Sequence, residues 1–348
     1  MKKYINPEIE ILSNMDMPAF PRRGAADYSE KLAAYMAARE KVKAQARRVV
    51  AAGVAIMASV PYCHATMTET LFQSVFGISF SVMTGKLEHI RSINSAVTEN
   101  PICLDRMQQP GTICGECYAE TLLSGRKGLR DNTELNGRIL SAAVIPAEYW
   151  PVLAFDTIFR IESFADVSNV THAVNYINFM VRNSSVKFGV WTKNPALWAM
   201  ALKSAGGDYL RMDNVSFGVS SRCINKRDDV AAIKKRFPFV NFIFTVYDLY
   251  EAANNDIDIT CGGRKCIECR VCYEANEAGD VVIVNELLKS HQTVARNAFH
   301  DRRRVFKLNL KHNAGGNKPE KVKLMNHAAE SMLAYIDKLV ARGVVKIA

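Results

Sequence analysis

Apolar residues in this chain gather in two alternating kinds of run. Four short runs rich in Val, Ile and Phe, at 157–162, 186–192, 215–221 and 240–246, start roughly 25 to 30 residues apart, about the length of a strand plus a crossover helix. Between them, 167–182, 194–205 and 227–237 have helix-compatible patterns. The alternation predicts an α/β fold built from consecutive βα units, with a partial or complete (β/α) barrel-like parallel core.

Upstream the pattern changes. After an extended, proline-containing start, residues 28–60 are rich in helix formers, with Leu32, Met36 and Val42 at roughly helical spacing and Lys and Arg between them. The apolar stretch 49–60 is about a dozen residues long, too short to span a bilayer, and reads as a buried helix. Runs at 76–83 and 87–94, rich in Phe, Val, Ile and Ser, read as strands. The expected organisation is an N-terminal helical extension over 1–70, a barrel-like metal-binding core over 71–292, and a basic C-terminal tail and helix over 293–348.

Right-handed crossovers bring every strand's C-terminal end to one rim, where a barrel carries its active site. The residues expected there are polar: Arg160, Glu162 and Ser163; Thr192, Lys193 and Asn194; Ser220, Ser221 and Arg222; Thr245, Tyr247 and Asp248. Every strand must leave the core and turn, so each has an ordinary explanation, and Asn194-Pro195 is also a helix start. Their recurrence is the stronger signal. Glu162 and Lys193 are the expected catalytic contacts, because long charged side chains reach the barrel axis. Arg160, Thr192, Asn194 and Ser220 join Glu162 as expected cofactor contacts.

Chemistry enters with the cysteines. Of nine, seven lie in two places: Cys103 with Cys114 and Cys117, and the distal Cys261, Cys266, Cys269 and Cys272. Thiolates two residues apart can curl around one ion or one corner of a cluster. Met-Lys-Lys is followed by polar, acidic and Pro-containing sequence rather than the apolar segment of a secretory signal, so a reducing cytoplasm is expected, with metal rather than disulfides. A thioredoxin-type dithiol needs fewer thiols than the distal segment supplies. Cys63 and Cys223 read as small buried hydrophobes, with Cys63-His64 as a weaker ligand pair. Four cysteines suit a [4Fe-4S] cluster or structural zinc, and spacing does not choose between them. Nor does spacing decide between two separate centres and one zinc site that pools thiolates from both sets.

The net charge of +10, much of it around Arg302-Arg303-Arg304, is compatible with phosphate contacts to nucleic acid or with a solvated face. Membrane partners are not expected.

Several ordered segments invite comparison: Lys86-Leu87-Glu88-His89-Ile90-Arg91-Ser92-Ile93-Asn94, then Cys103, Cys114-Gly115-Glu116-Cys117-Tyr118, Phe159-Arg160-Ile161, Trp191-Thr192-Lys193-Asn194 and the distal C-x4-C-x2-C-x2-C. Together they resemble the phage "gene product 88" family, from about Gly85 to His291. That resemblance implies a protein of a phage or prophage, working in the cytoplasm of an infected or lysogenic bacterium.

Cys114-Gly115-Glu116-Cys117-Tyr118 is also similar to the end of the radical S-adenosylmethionine signature. This similarity implies a [4Fe-4S] cluster on Cys103, Cys114 and Cys117, in a loop after the first strand of a partial barrel. One iron is then open to S-adenosylmethionine, with Glu162 near its methionine amino group and the distal four cysteines around an auxiliary cluster. The usual signature is C-x3-C-x2-C, whereas ten residues separate Cys103 from Cys114, and no Gly-Gly-Glu follows the next strand. The expected function is iron-sulfur chemistry of this type on an unknown substrate. The alternative is a zinc-stabilised, non-catalytic nucleic-acid-binding protein.

Overall fold

The computed structural model describes residues 5–59, 68–206, 212–302 and 319–347, the last segment with side chains from 329 onward. Helices α1 (Glu8–Ser13) and α2 (Tyr28–Ser59) come first. Next is α3 (Glu69–Phe76), where the Thr68 hydroxyl accepts from the Leu71 amide and Gly77 closes the helix at φ 75°, a left-handed conformation that glycine takes without a Cβ clash. The strands expected over 76–83 and 87–94 shrink to β1 (Ser81–Val82) and β2 (Arg91–Ile93). Phe76, the first residue of the run at 76–83, instead joins Phe72 and Val75 on one buried helical face, so tertiary packing overrides its β propensity.

Helices α4 (Pro101–Met107), α5 (Tyr118–Ser124) and α6 (Lys127–Leu140) lead to β3 (Ile158–Ile161). Strand and helix then alternate through α7 (Val170–Arg182), β4 (Lys187–Thr192), α8 (Pro195–Ser204), β5 (Val215–Ser220), α9 (Val230–Arg236), β6 (Val240–Tyr247) and α10 (Leu249–Asn254). A short α11 (Cys266–Cys269), β7 (Val282–Leu287), α12 (Lys289–His300) and α13 (Pro319–Ala341) complete the order. The strands and helices expected between 157 and 246 are present with nearly the expected bounds. Strand β7 follows a cysteine-rich loop and was not among them.

All seven strands form one sheet in sequence order, with β1 antiparallel to β2 and every later pair parallel. Sequential parallel neighbours joined by one-handed crossovers curl a sheet in one direction. Its edges return to each other: Lys86, between β1 and β2, forms an ion pair with Glu286 of β7, and Lys265 meets Glu88 at 2.8 Å. The segment carrying the distal cysteines fills this seam, giving a barrel-like parallel core.

Outward-facing Phe159, Ile161, Phe188, Val190 and Phe217 share one core with Tyr176 and Phe179 of α7, Trp198 of α8 and Val42 and Val49 of α2. The N-terminal helix therefore packs into the same core as the sheet. Helix α13 belongs to a second core, where Met332, Ile336 and Leu339 join Leu249 and Leu287. Among the described residues no helix is long and apolar enough to cross a membrane.

The inner face is crowded, and two strand glycines make room for it. A Cβ on Gly189 would lie 2.8 Å from the Tyr273 ring, and one on Gly218 would lie 2.0 Å from that of Phe242. Phe242 is fully buried and cannot swing into solvent. Gly218→Ala is expected to destabilise the fold by about 1–3 kcal/mol through overpacking, read as a lower denaturation midpoint. An unchanged midpoint would mean that the ring has another place to go.

Candidate metal centres on the barrel rim

Cys103 sits in the first turn of α4, a helix started by Pro101 and capped by Asn100, whose side chain accepts from the Ile102 amide. Cys114 opens a short 3-10 turn, and Cys117 immediately precedes α5. This loop is tied to the strand ends at several points. The Ile113 amide donates to the Arg222 carbonyl at 3.0 Å, Thr112 bridges to Cys223, and the Tyr118 hydroxyl donates to the Ser163 carbonyl. Arg106 and Arg222 both donate to the Lys193 carbonyl at 3.4 Å. The first cysteine set therefore lies across the C-terminal ends of β3, β4 and β5. Cys223, expected to be buried, is only half-buried beside this loop.

Asp166 organises that rim. Its carboxylate accepts from the Thr192 hydroxyl and the Lys193 amide, both at 2.9 Å, with Arg106 at 3.5 Å. Burial, then the charge of Asp166, pushes the Cys103 thiol up to about 12, with Cys114 adding to the shift and Lys193 opposing it. Cys103, Cys114, Asp166 and Lys193 thus share one neighbourhood. Asp166 was not anticipated, because it stands in the loop several residues beyond the last β3 position. The Thr192 hydroxyl also accepts from the Asn194 amide at 2.8 Å, so Thr192 and Asn194 serve to turn the chain into α8. Ser220 is buried at the end of β5.

Glu162 departs from the expectation that it reaches the barrel axis. Its backbone is left-handed at φ 53°, which breaks the strand alternation and turns the carboxylate outward beneath α7. One oxygen accepts from the Ser95 hydroxyl and the Tyr176 hydroxyl, both at 2.7 Å, and the other from the Ser95 amide at 2.9 Å. His172 Nε2 lies 3.3 Å away, and its Nδ1 accepts from the Ser168 amide at 3.3 Å. Both carboxylate oxygens are occupied in holding the loop after β2. Burial alone would raise the pKa of Glu162, but His172 and Ser95 overcome it and hold it below the usual carboxylate range.

The four distal thiols form a second group. Cys261 is held by a parallel bridge to Glu286, with its amide donating to the Asn285 carbonyl at 2.9 Å. Cys266 and Cys269 begin and end α11, and Arg270 ends this turn in the left-handed region at φ 54°. Burial, then Glu286, pushes the Cys261 thiol up to about 11; burial, then Cys261, Cys266 and Cys269, raises Cys272 further. Lys86 Nζ donates to Cys261 Sγ at 3.4 Å and Arg264 to Cys269 Sγ at 3.8 Å. Tyr273 packs over Gly189, anchoring the segment inside the barrel.

Between the two sets stands Arg160. It points inward from β3, with its guanidinium 3.2 Å from the centroid of Trp191 and its Nε donating to the Glu162 carbonyl at 3.2 Å. Charges from Arg160, Cys117, Glu286 and Lys86 all act on the Tyr118 hydroxyl, so this side chain lies between the proximal and distal groups. Lys86, Glu286, Trp191 and Tyr273 were not singled out from sequence as functional contacts. Glycines inside two predicted strands were the available signal for a segment packed against the inner face.

All described cysteines are free thiols. Among the described residues, no group of three His, Cys, Asp or Glu side chains is gathered closely enough to hold a metal ion. A single zinc binds sulfur at about 2.3 Å and needs its donors tightly converged, whereas a four-iron cluster takes one thiolate per corner and spreads them further. Arg302 of the basic strip pairs with Asp337 at 2.8 Å; Arg303, Arg304, Cys63 and His64 lie outside the described residues. No protein-family model matches this chain, and neither does any curated protein or solved structure.

Proposed function

We propose that this chain is an iron-sulfur protein of the phage gene product 88 type, whose proximal cysteines Cys103, Cys114 and Cys117 work as a radical S-adenosylmethionine centre and whose distal four hold an auxiliary cluster. The observation that carries this reading is the position of the proximal set: Cys103 follows the first parallel strand and stands beside Asp166 and Lys193, on the rim where a parallel barrel does its chemistry. When bound, such a cluster supplies the electron for reductive cleavage of S-adenosylmethionine.

The protein's own residues contribute position and charge. Asp166 holds Thr192 and the Lys193 backbone, keeping the Lys193 charge close to Cys103. Glu162 acts through Ser95, fixing the loop that precedes α4. Arg160, stacked on Trp191, keeps a fixed positive charge in the barrel interior.

The test is anaerobic loading with iron and sulfide, reduction, and addition of S-adenosylmethionine. The expected result is a shift in the cluster's electron paramagnetic resonance and the appearance of 5′-deoxyadenosine. An iron-loaded protein that gives neither result overturns the radical chemistry. A colourless, zinc-loaded protein returns the chain to a non-catalytic, metal-stapled role.

A further inference from the structure

The distal thiols are approached by three cations. Lys86 contacts Cys261 at 3.4 Å, Arg264 contacts Cys269 at 3.8 Å, and the charge of Arg160 acts on Cys266 and Cys272. Among the described residues, Lys86 alone of the three also contacts a carboxylate, that of Glu286. A salt bridge that served only to latch the barrel seam would need no contact with a thiol. Here the backbone fixes both: Cys261 bridges to Glu286, the Cys261 amide donates to Asn285, and the Asn285 amide donates back to the Thr260 hydroxyl at 3.0 Å. Lys86 is thereby held between a thiol and a carboxylate whose spacing is set by β7.

A cluster on four thiolates is anionic, and taking up one electron makes it more so. Fixed positive charge and N–H donors at its sulfurs favour the reduced state and raise its potential, whereas nearby negative charge lowers it. We propose that Lys86 and Glu286 form an opposed charge pair that sets the reduction potential of the distal cluster, Lys86 raising it through the Cys261 sulfur and Glu286 moderating that effect. This inference rests on the iron-sulfur reading above. The redox step is a one-electron uptake by the oxidised cluster, with no bond broken; in the test the electron comes from dithionite, which is oxidised.

The experiment uses the full chain with Cys103, Cys114 and Cys117 replaced by alanine, loaded with iron and sulfide and titrated potentiometrically by electron paramagnetic resonance. Lys86→Gln is expected to shift the ratio of reduced to oxidised cluster at a fixed potential by about tenfold toward oxidised, equivalent to about 59 mV for one electron. Lys86→Arg should restore most of the shift. Glu286→Gln should move the potential the opposite way, a reversal that mere loosening of the seam cannot produce. If Lys86→Gln fails to load, the sign of the Glu286→Gln shift decides. Loaded variants with unmoved potentials, or both shifting in one direction, overturn this proposal alone. Failure of this parent chain to take up iron and sulfide overturns the iron-sulfur reading of the distal set and this proposal with it.

Discussion

The Cys114→Ala, Cys117→Ala double variant is expected to lose only part of its iron and all formation of 5′-deoxyadenosine, while the distal set stays loaded. The two sets stand on different supports. Cys103 feels chiefly Asp166, Cys114 and Lys193, whereas the distal thiols feel one another together with Glu286, Lys86 and Arg160. Cys114 and Cys117 are half-buried rather than part of the main core, so their truncation should leave the fold standing. Metal analysis, circular dichroism and product analysis on one sample decide the matter. Loss of all metal from a folded protein would establish a single shared site.

Glu162→Ala is expected to cost about 3–5 kcal/mol of stability, the range for breaking a buried charged network by removing one partner. The Ser95 amide, the Ser95 hydroxyl and the Tyr176 hydroxyl would lose their acceptor in a place that water does not reach. Glu162→Gln isolates the role of charge. The folded-state pKa of Glu162 lies below its ordinary value of 4.5, so its contribution is fully present above that value and is lost as pH falls through the folded one. The stability gap between wild type and Glu162→Gln should therefore hold from neutral pH down to the ordinary value and narrow as the pH falls below it in urea unfolding. A gap independent of pH would mean that shape, not charge, is what the site requires.

The inner and outer faces of β3 show where sequence reading stops. Phe159 and Ile161 pack outward and Arg160 inward, as strand periodicity requires. Position 162 should continue inward by the same rule. The left-handed backbone there reverses it, and no neighbouring glycine or asparagine marks the reversal. Helix α3 is the other departure: it takes Phe76, the first residue of a run expected to be a strand, and the burial of Phe76 against Phe72 and Tyr149 decides for a helix.

The sequence by itself determined the parallel βα alternation between 157 and 246, because each unit is a local pattern of apolar spacing closed by local caps such as Asn169, Asp229 and Asp248. It also determined the two cysteine groups, since the spacing of cysteines along a short segment is a property of neighbouring residues. Only the tertiary structure decided that Lys86 meets Cys261 and Glu286, that Asp166 stands beside Cys103, and that Glu162 faces α7. The pairings of Lys86 join residues far apart in the chain, and nothing local encodes them. They exist because a sheet laid down in sequence order curls until its first and last strands face each other across one seam, where Lys86 meets β7.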